Sequence, residues 1–234
     1  MTMNTSLMDI WFMALPAGVA GLCIGGYIPA LSERVLSYKE RKRGKKYEPC
    51  GSYRLWERQL YALGMAVLWI SAICLFPPDK AILIQVLSVF VFSISYIDHM
   101  YRIIPNEIVM ILLGTGVVHQ MLLGGMPAFL KALAMIGLSI AICGLSALLV
   151  RSRGAVGAGD VKLLAAVALL TGYPQFMDAL LLTSVSAAMY CLAGLYTGRM
   201  NWKSYFPMGS FIAGGMLCSF FAQWIFDLLL RALG

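Results

Sequence analysis

Long apolar stretches, each ended by charged residues or by a glycine or proline turn, alternate with short polar stretches along this chain. Most of the apolar stretches are long enough to cross a hydrocarbon layer of ~30 Å as a helix. The sixth is too short to cross upright at ~1.5 Å per residue, so we expect protein to enclose part of it. The pattern predicts eight helices, at residues 11–31, 59–76, 81–97, 106–123, 128–150, 161–170, 176–196 and 208–230.

The composition places these helices in a membrane. The chain has 234 residues, of which 60% are hydrophobic and 12% are charged, and its mean hydropathy is +0.80. A soluble domain of this length would carry about twice that fraction of charged residues. The fold class is therefore predicted to be all-α, a polytopic membrane protein with a single membrane-embedded domain over 1–234. The first apolar stretch lacks a basic segment before it and is expected to remain as a span.

One polar segment, residues 33–58, stands out between the first two predicted spans. It holds nine basic and four acidic side chains and is predicted to be a basic cytoplasmic loop. Such a loop either fixes orientation and contacts anionic lipid, or has a specific docking role. The net charge of +7 does not point to nucleic acid, because half of the lysines and arginines lie in this segment.

The basic residues also predict the orientation of the chain. If 33–58 is cytoplasmic, the alternation of spans puts 98–106, 151–162 and 197–206 on the same side, and 15 of the 18 basic residues lie in these four segments. This asymmetry predicts eight spans with both termini outside the cytoplasm. It also places Asp98 and Asp160 at one face, the cytoplasmic one.

Cysteine usage argues against metal binding and disulfides. Five of the six cysteines fall inside apolar stretches, where a cysteine behaves as a small hydrophobic residue. The chain contains no C-x-x-C pair, so we predict neither a zinc site nor a disulfide framework.

Two acids at the ends of apolar stretches, Asp98 and Asp160, are the candidate catalytic residues. An acid at the edge of a membrane helix is costly unless it is hydrated, paired or functional. Two carboxyl groups that share one proton can activate water and protonate a leaving amine, which is what peptide hydrolysis requires. Either aspartate could act first as the base. Lys162 either tunes the field at Asp160 or extends towards lipid phosphates.

The residues around both acids resemble a known family. Asp98 is followed by Ile104-Pro105-Asn106, and residues 157–162 read Gly-Ala-Gly-Asp-Val-Lys. Together these motifs resemble the bacterial type IV prepilin peptidases, membrane aspartyl proteases of the GxGD kind. Residues 21–29 and 207–211 are similar to the motifs of the first and last spans of that family, with Ser210 in place of a proline.

The resemblance implies a reaction and a set of site residues. Asp98 and Asp160 would be catalytic, and the residues that bind substrate or shape the site would be Gly157, Gly159, Lys162, Pro105 and Asn106. The enzyme would cut the short basic leader from prepilins or pseudopilins at the cytoplasmic face, beside membrane lipid. Many members then methylate the new N-terminus with S-adenosylmethionine. Here the loop that often binds zinc in the family is short and keeps only Cys50, which leaves methyl transfer open.

The sequence leaves two alternative functions possible, and it does not decide which acids would bind the basic leader. A proton-coupled transporter or a catalytically inactive assembly factor could also carry two membrane acids. Because the leader and residues 33–58 are both basic, we expect the leader to pair with acids at span ends, namely Glu33, Glu57 and Glu107, unless these only neutralise neighbouring cations.

Overall fold

The computed structural model describes residues 7–44, 46–50, 55–149, 157–198 and 207–233. Within these ranges every regular element is a helix, which confirms the all-α prediction. The helices are α1 (Leu7–Arg43), α2 (Leu55–Leu75), α3 (Pro78–Tyr101), α4 (Asn106–Leu149), α5 (Ala158–Thr171), α6 (Gln175–Tyr196) and α7 (Met208–Leu233).

Helix α4 is broken at the predicted glycine turn. Gly125 has φ 59° and ψ −147°, a conformation that favours glycine, and Gly124 is also non-helical. The break divides α4 into two arms, so the described residues hold eight helical segments, as predicted. Six segments are long and apolar enough to cross a membrane, whereas the first arm, Asn106–Leu122, and the 14-residue α5 are shorter. The protein is therefore a polytopic membrane protein.

Residues 33–43 and 55–58 of the predicted loop are helical, and the cytoplasmic position of this segment stays a prediction. Helix α1 continues beyond its apolar stretch to Arg43, and α2 begins at Leu55. Glutamate, lysine and arginine are good helix formers, so a charged segment can extend a membrane helix into water. Residues 46–50, which we call the strap, follow the end of α1 as an extended segment. Residues 45 and 51–54 lie outside the described part of the chain.

The chain divides into two compact units, Met1–Tyr101 and Arg102–Gly234. In the first unit α1, α2 and α3 all contact one another. A Cβ atom added to Gly21 would lie 2.9 Å from Cα of Ala66, and one added to Gly25 would lie 2.5 Å from the carbonyl oxygen of Tyr61. These two glycines, which are four residues apart, therefore let the α1 and α2 backbones approach closely.

The second unit is built around α5, the short helix. Eight of its residues between Leu163 and Thr171 are buried, and it contacts α4, α6 and α7. At its C-terminal end, the Gln120 side chain donates a hydrogen bond of 2.9 Å to the Leu170 carbonyl. This enclosure was predicted, and it explains how a helix too short to span a bilayer can lie among membrane helices.

Candidate active site

Asp160 lies in the first turn of α5. The sequence predicted that this helix begins at residue 161, but it already begins at Ala158, with Gly157 as its N-cap. The first N–H groups of a helix have no intrahelical acceptor and carry a partial positive charge, so an acid is favoured there. The Asp160 carboxylate folds back over Gly157, since a Cβ atom on Gly157 would lie 2.8 Å from Asp160 Oδ2.

The Ile104-Pro105-Asn106 motif packs against this helix start inside the second unit. A Cβ atom added to Gly159 would lie 3.3 Å from Cβ of Ile104, so the glycine allows a close contact. The Lys162 ammonium group donates to Oδ1 of Asn106 at 3.5 Å. Pro105 is buried immediately before α4. The site-shaping residues predicted in this unit therefore surround the helix start that carries Asp160.

Asp98 lies in the last turn of α3, in the first unit, and only 5% of its surface is exposed. The C-terminal turn of a helix carries a partial negative charge, which disfavours an ionised acid. Burial adds a further cost for a carboxylate. The helix ends shortly after this residue, at Tyr101, and Arg102 takes a left-handed conformation with φ 52°. A buried acid at a helix end is therefore a candidate catalytic residue.

Two contacts around Asp98 involve residues that the motifs did not reveal. Tyr96, which is 1% exposed, donates a hydrogen bond from its hydroxyl to Oε1 of Glu33 at 3.2 Å. The backbone N–H of Cys50 donates to the Met100 carbonyl at 2.7 Å. Neither contact could be predicted from the sequence, because the partners are far apart in the chain and each residue type is ordinary for its own segment.

Asp98 belongs to the first unit and Asp160 to the second. Their pairing at one site stays a prediction. Within the described ranges, no group of three or more histidine, cysteine, aspartate or glutamate side chains is placed to hold a metal ion. His99, the next residue after Asp98, is exposed at the end of α3.

Comparison with known proteins agrees with the motifs. Residues 85–192 match the model of the type IV leader peptidase family. Two proteins named prepilin leader peptidase/N-methyltransferase, from Burkholderia pseudomallei strains 1026b and K96243, are each 32% identical to the chain over 180 residues. The similarity covers 73% of this chain but 56% of each relative, so the chain spans little more than half of their length. No solved structure matches the chain.

Proposed function

Because the chain belongs to the type IV leader peptidase family through residues 85–192, we propose that it is an intramembrane aspartyl endopeptidase. Its substrates are type IV prepilins or pseudopilins, from which it removes the short basic leader. One observation carries the proposal: the matched residues include Asp98, Asp160 and the motifs around both acids. The printed name of the two relatives supports the same substrate class.

In the proposed reaction, Asp98 and Asp160 share one proton, because two neighbouring carboxyl groups cannot both ionise at low cost. The ionised carboxylate takes a proton from water, and the water oxygen forms a bond to the carbonyl carbon of the scissile peptide. The protonated carboxyl group then donates its proton to the peptide nitrogen as the C–N bond breaks. The products are a new carboxyl terminus and a new amine. Either acid can start as the base, since the pair titrates as a unit.

The second unit supplies groups that could hold the substrate backbone. The first-turn N–H groups of α5 have no intrahelical acceptor, and in this proposal they donate to a substrate carbonyl. At this helix start Gly157 makes room for the Asp160 carboxylate, and Gly159 makes room for the Ile104 side chain. The hydrogen bond from Lys162 to Asn106 joins α5 to the start of α4 and so fixes the direction of these donors. In this proposal Pro105 sets where α4 begins.

Proteolysis by this route needs no cofactor, because the two carboxyl groups and water supply all the atoms. S-adenosylmethionine would be needed only for methylation of the new N-terminus. No contact among the described residues favours methyl transfer, so the proposal is limited to cleavage.

We also propose that the protein holds no zinc. Elemental analysis of the purified, full-length protein should find less than about one zinc per ten chains, and a stoichiometric zinc would contradict this.

The proposed location is the inner membrane of a bacterium, with both termini in the periplasm and the active site at the cytoplasmic face. The support is the distribution of basic residues, 15 of 18 on one side of the predicted topology. Two of the segments that carry this charge, around 150–156 and 199–206, lie outside the described residues.

Co-expression tests the proposal. The chain is produced with a candidate prepilin in a host that lacks other leader peptidases, and the product is analysed by N-terminal sequencing. We expect a single new N-terminus at the end of the basic leader, formed only when the chain is present. The test is repeated with several candidate prepilins. If all of them stay intact in cells whose membranes contain the chain, the proposed activity is contradicted.

A further inference from the structure

The end of α3 is anchored on both sides of Asp98, inside the first unit. Two residues before the acid, the Tyr96 hydroxyl donates to Glu33 on the extension of α1. Two residues after it, the Met100 carbonyl accepts from the backbone N–H of Cys50 on the strap. We call these two hydrogen bonds the anchors. The side-chain bond of Tyr96 limits rotation of the last turn of α3, and the backbone bond of Met100 limits its unwinding.

The strap is itself fixed to α1. The backbone N–H of Tyr47 donates to Oε1 of Glu40 at 2.7 Å. The Lys39 ammonium group lies 5.6 Å from the centre of the Tyr47 ring, which is within the range of a cation–π contact. Lys39 is 4% exposed, so this contact is shielded from water. The strap is therefore held by α1 at Tyr47 and holds α3 at Cys50.

The last turn of a helix needs such anchors. Its last four carbonyl groups have no intrahelical donor, and helix ends fray unless other groups bind them. The Cys50 N–H satisfies one of these carbonyls two residues from Asp98. Proton transfer requires heavy atoms at hydrogen-bond distance, and a misplacement of about 1 Å can cost up to about 100-fold in rate. Fraying at this turn would move the acid by at least that much.

We propose that Glu33, Tyr96 and the strap form a brace that positions Asp98 for proton transfer. This inference rests on the proposed function, because a brace for Asp98 matters only if Asp98 is catalytic.

The brace also distinguishes two possible roles of Glu33. A docking acid would bind the leader and affect KM, whereas a positioning acid acts through α3 and affects kcat.

The first experiment compares variants of the hydrogen-bonded pair on a purified prepilin. Tyr96→Phe removes only the hydroxyl, Glu33→Ala removes the acceptor, and Glu33→Gln keeps an acceptor oxygen. We expect kcat to fall about tenfold in the first two with KM unchanged, and Glu33→Gln to stay within about twofold of the parent. The double variant Tyr96→Phe/Glu33→Ala should be no slower than either single variant, because both remove the same bond.

The strap offers a matched pair of variants and a control. Glu40→Ala removes the acceptor for Tyr47, while Glu40→Gln keeps one, so only the first should lower kcat. Glu48 is an exposed acid on the same segment, and Glu48→Ala should leave kcat unchanged. The unfolding midpoint in detergent, measured for every variant, should change little, because the anchors lie at one helix end.

A second readout does not depend on activity. Amide hydrogen exchange over residues 96–103 should be about tenfold faster in Tyr96→Phe and Glu40→Ala than in the parent and in Glu48→Ala, because the turn opens more often. Unchanged exchange in both variants would refute the brace. If Asp98→Asn cleaves normally while exchange rises as expected, the brace stands as a structural feature and the aspartyl mechanism fails.

Three kinetic results would also overturn the proposal. A raised KM with unchanged kcat, seen only with an intact basic leader, would make Glu33 a docking residue. Additive losses in the double variant would mean that Tyr96 and Glu33 act separately. If kcat falls in proportion to the unfolding midpoint across all variants, the contacts only stabilise the fold and do not position Asp98.

Discussion

At the scale of single residues, Gly157 and Asp160 share the space at the start of α5. The Asp160 carboxylate occupies the position that a side chain on Gly157 would need. Gly157 has φ −67° and ψ 136°, which any residue can adopt. The glycine is therefore required for space and not for backbone conformation, and its purpose is to let the acid fold back over the helix start.

Gly157→Ala should slow cleavage by about tenfold or more, because the new methyl group displaces the Asp160 carboxylate. The free energy of unfolding should change by no more than about 1 kcal/mol, the usual range for an N-cap substitution. Gly114→Ala is the matched control, since a Cβ atom there meets open space. Cleavage kinetics and detergent unfolding measure both effects. Equal rates for Gly157→Ala and the parent would show that Asp160 needs no such space.

The sequence identified the candidate acids but not the groups that hold them. Asp98 and Asp160 could be predicted because a carboxyl group at the edge of an apolar stretch is costly and each one stands in a recognisable motif. Tyr96 and Glu33 could not, because a tyrosine in a membrane helix and a glutamate beside basic residues are both common. Only folding brings these two side chains, 63 positions apart, to hydrogen-bond distance.

At the scale of helices, apolar length was a good guide to the spans and a poor guide to helix ends. The turn at Gly124 and Gly125 was predicted because two adjacent glycines and a nearby proline interrupt a helix. The extension of α1 to Arg43 was missed because charged residues end a membrane span without ending a helix. The start of α5 at Ala158 was missed because glycines favour loops when no packing partner is known.

Close packing of α1 on α2 predicts a contrast between two adjacent glycines. Gly25→Ala should lower the free energy of unfolding by about 1–3 kcal/mol, because its Cβ atom would meet the α2 backbone at 2.5 Å. Gly26→Ala should be neutral or slightly stabilising, since its nearest neighbour is 3.8 Å away. Unfolding in mixed micelles measures both. Similar losses in the two variants would contradict this packing.

At the scale of the whole molecule, net charge bears on how a basic substrate approaches. The extension of α1 and the strap carry most of the basic residues of segment 33–58, so they repel a basic leader within the screening length of ~8 Å. Glu33 already accepts a hydrogen bond from Tyr96. Glu107 has a buried carboxylate oxygen without a hydrogen-bond partner among the described residues. With Glu33 engaged, Glu107 and Glu57, which lies in the first turn of α2, remain as the candidate docking acids.

Charge reversal tests this docking hypothesis. Glu57→Lys and Glu107→Lys should each raise KM several-fold for a prepilin with an intact basic leader, and neither should do so for a prepilin whose leader lysines and arginines are neutralised. Lys131→Glu, a reversal on the opposite side of the predicted topology, is the control. If KM is unchanged in both acid variants, the docking hypothesis fails, and the aspartyl mechanism is unaffected.

If Asp98 and Asp160 together perform the cleavage, replacing either acid with its amide should abolish it. In membranes that contain a prepilin substrate, Asp98→Asn and Asp160→Asn should each lower cleavage by at least about 1,000-fold, because an amide can neither accept nor donate the shared proton. Asp79→Asn, at the exposed start of the helix that carries Asp98, should cleave at the parent rate. Near-normal cleavage by either amide variant would contradict the account and would favour an assembly or transport role for the acids.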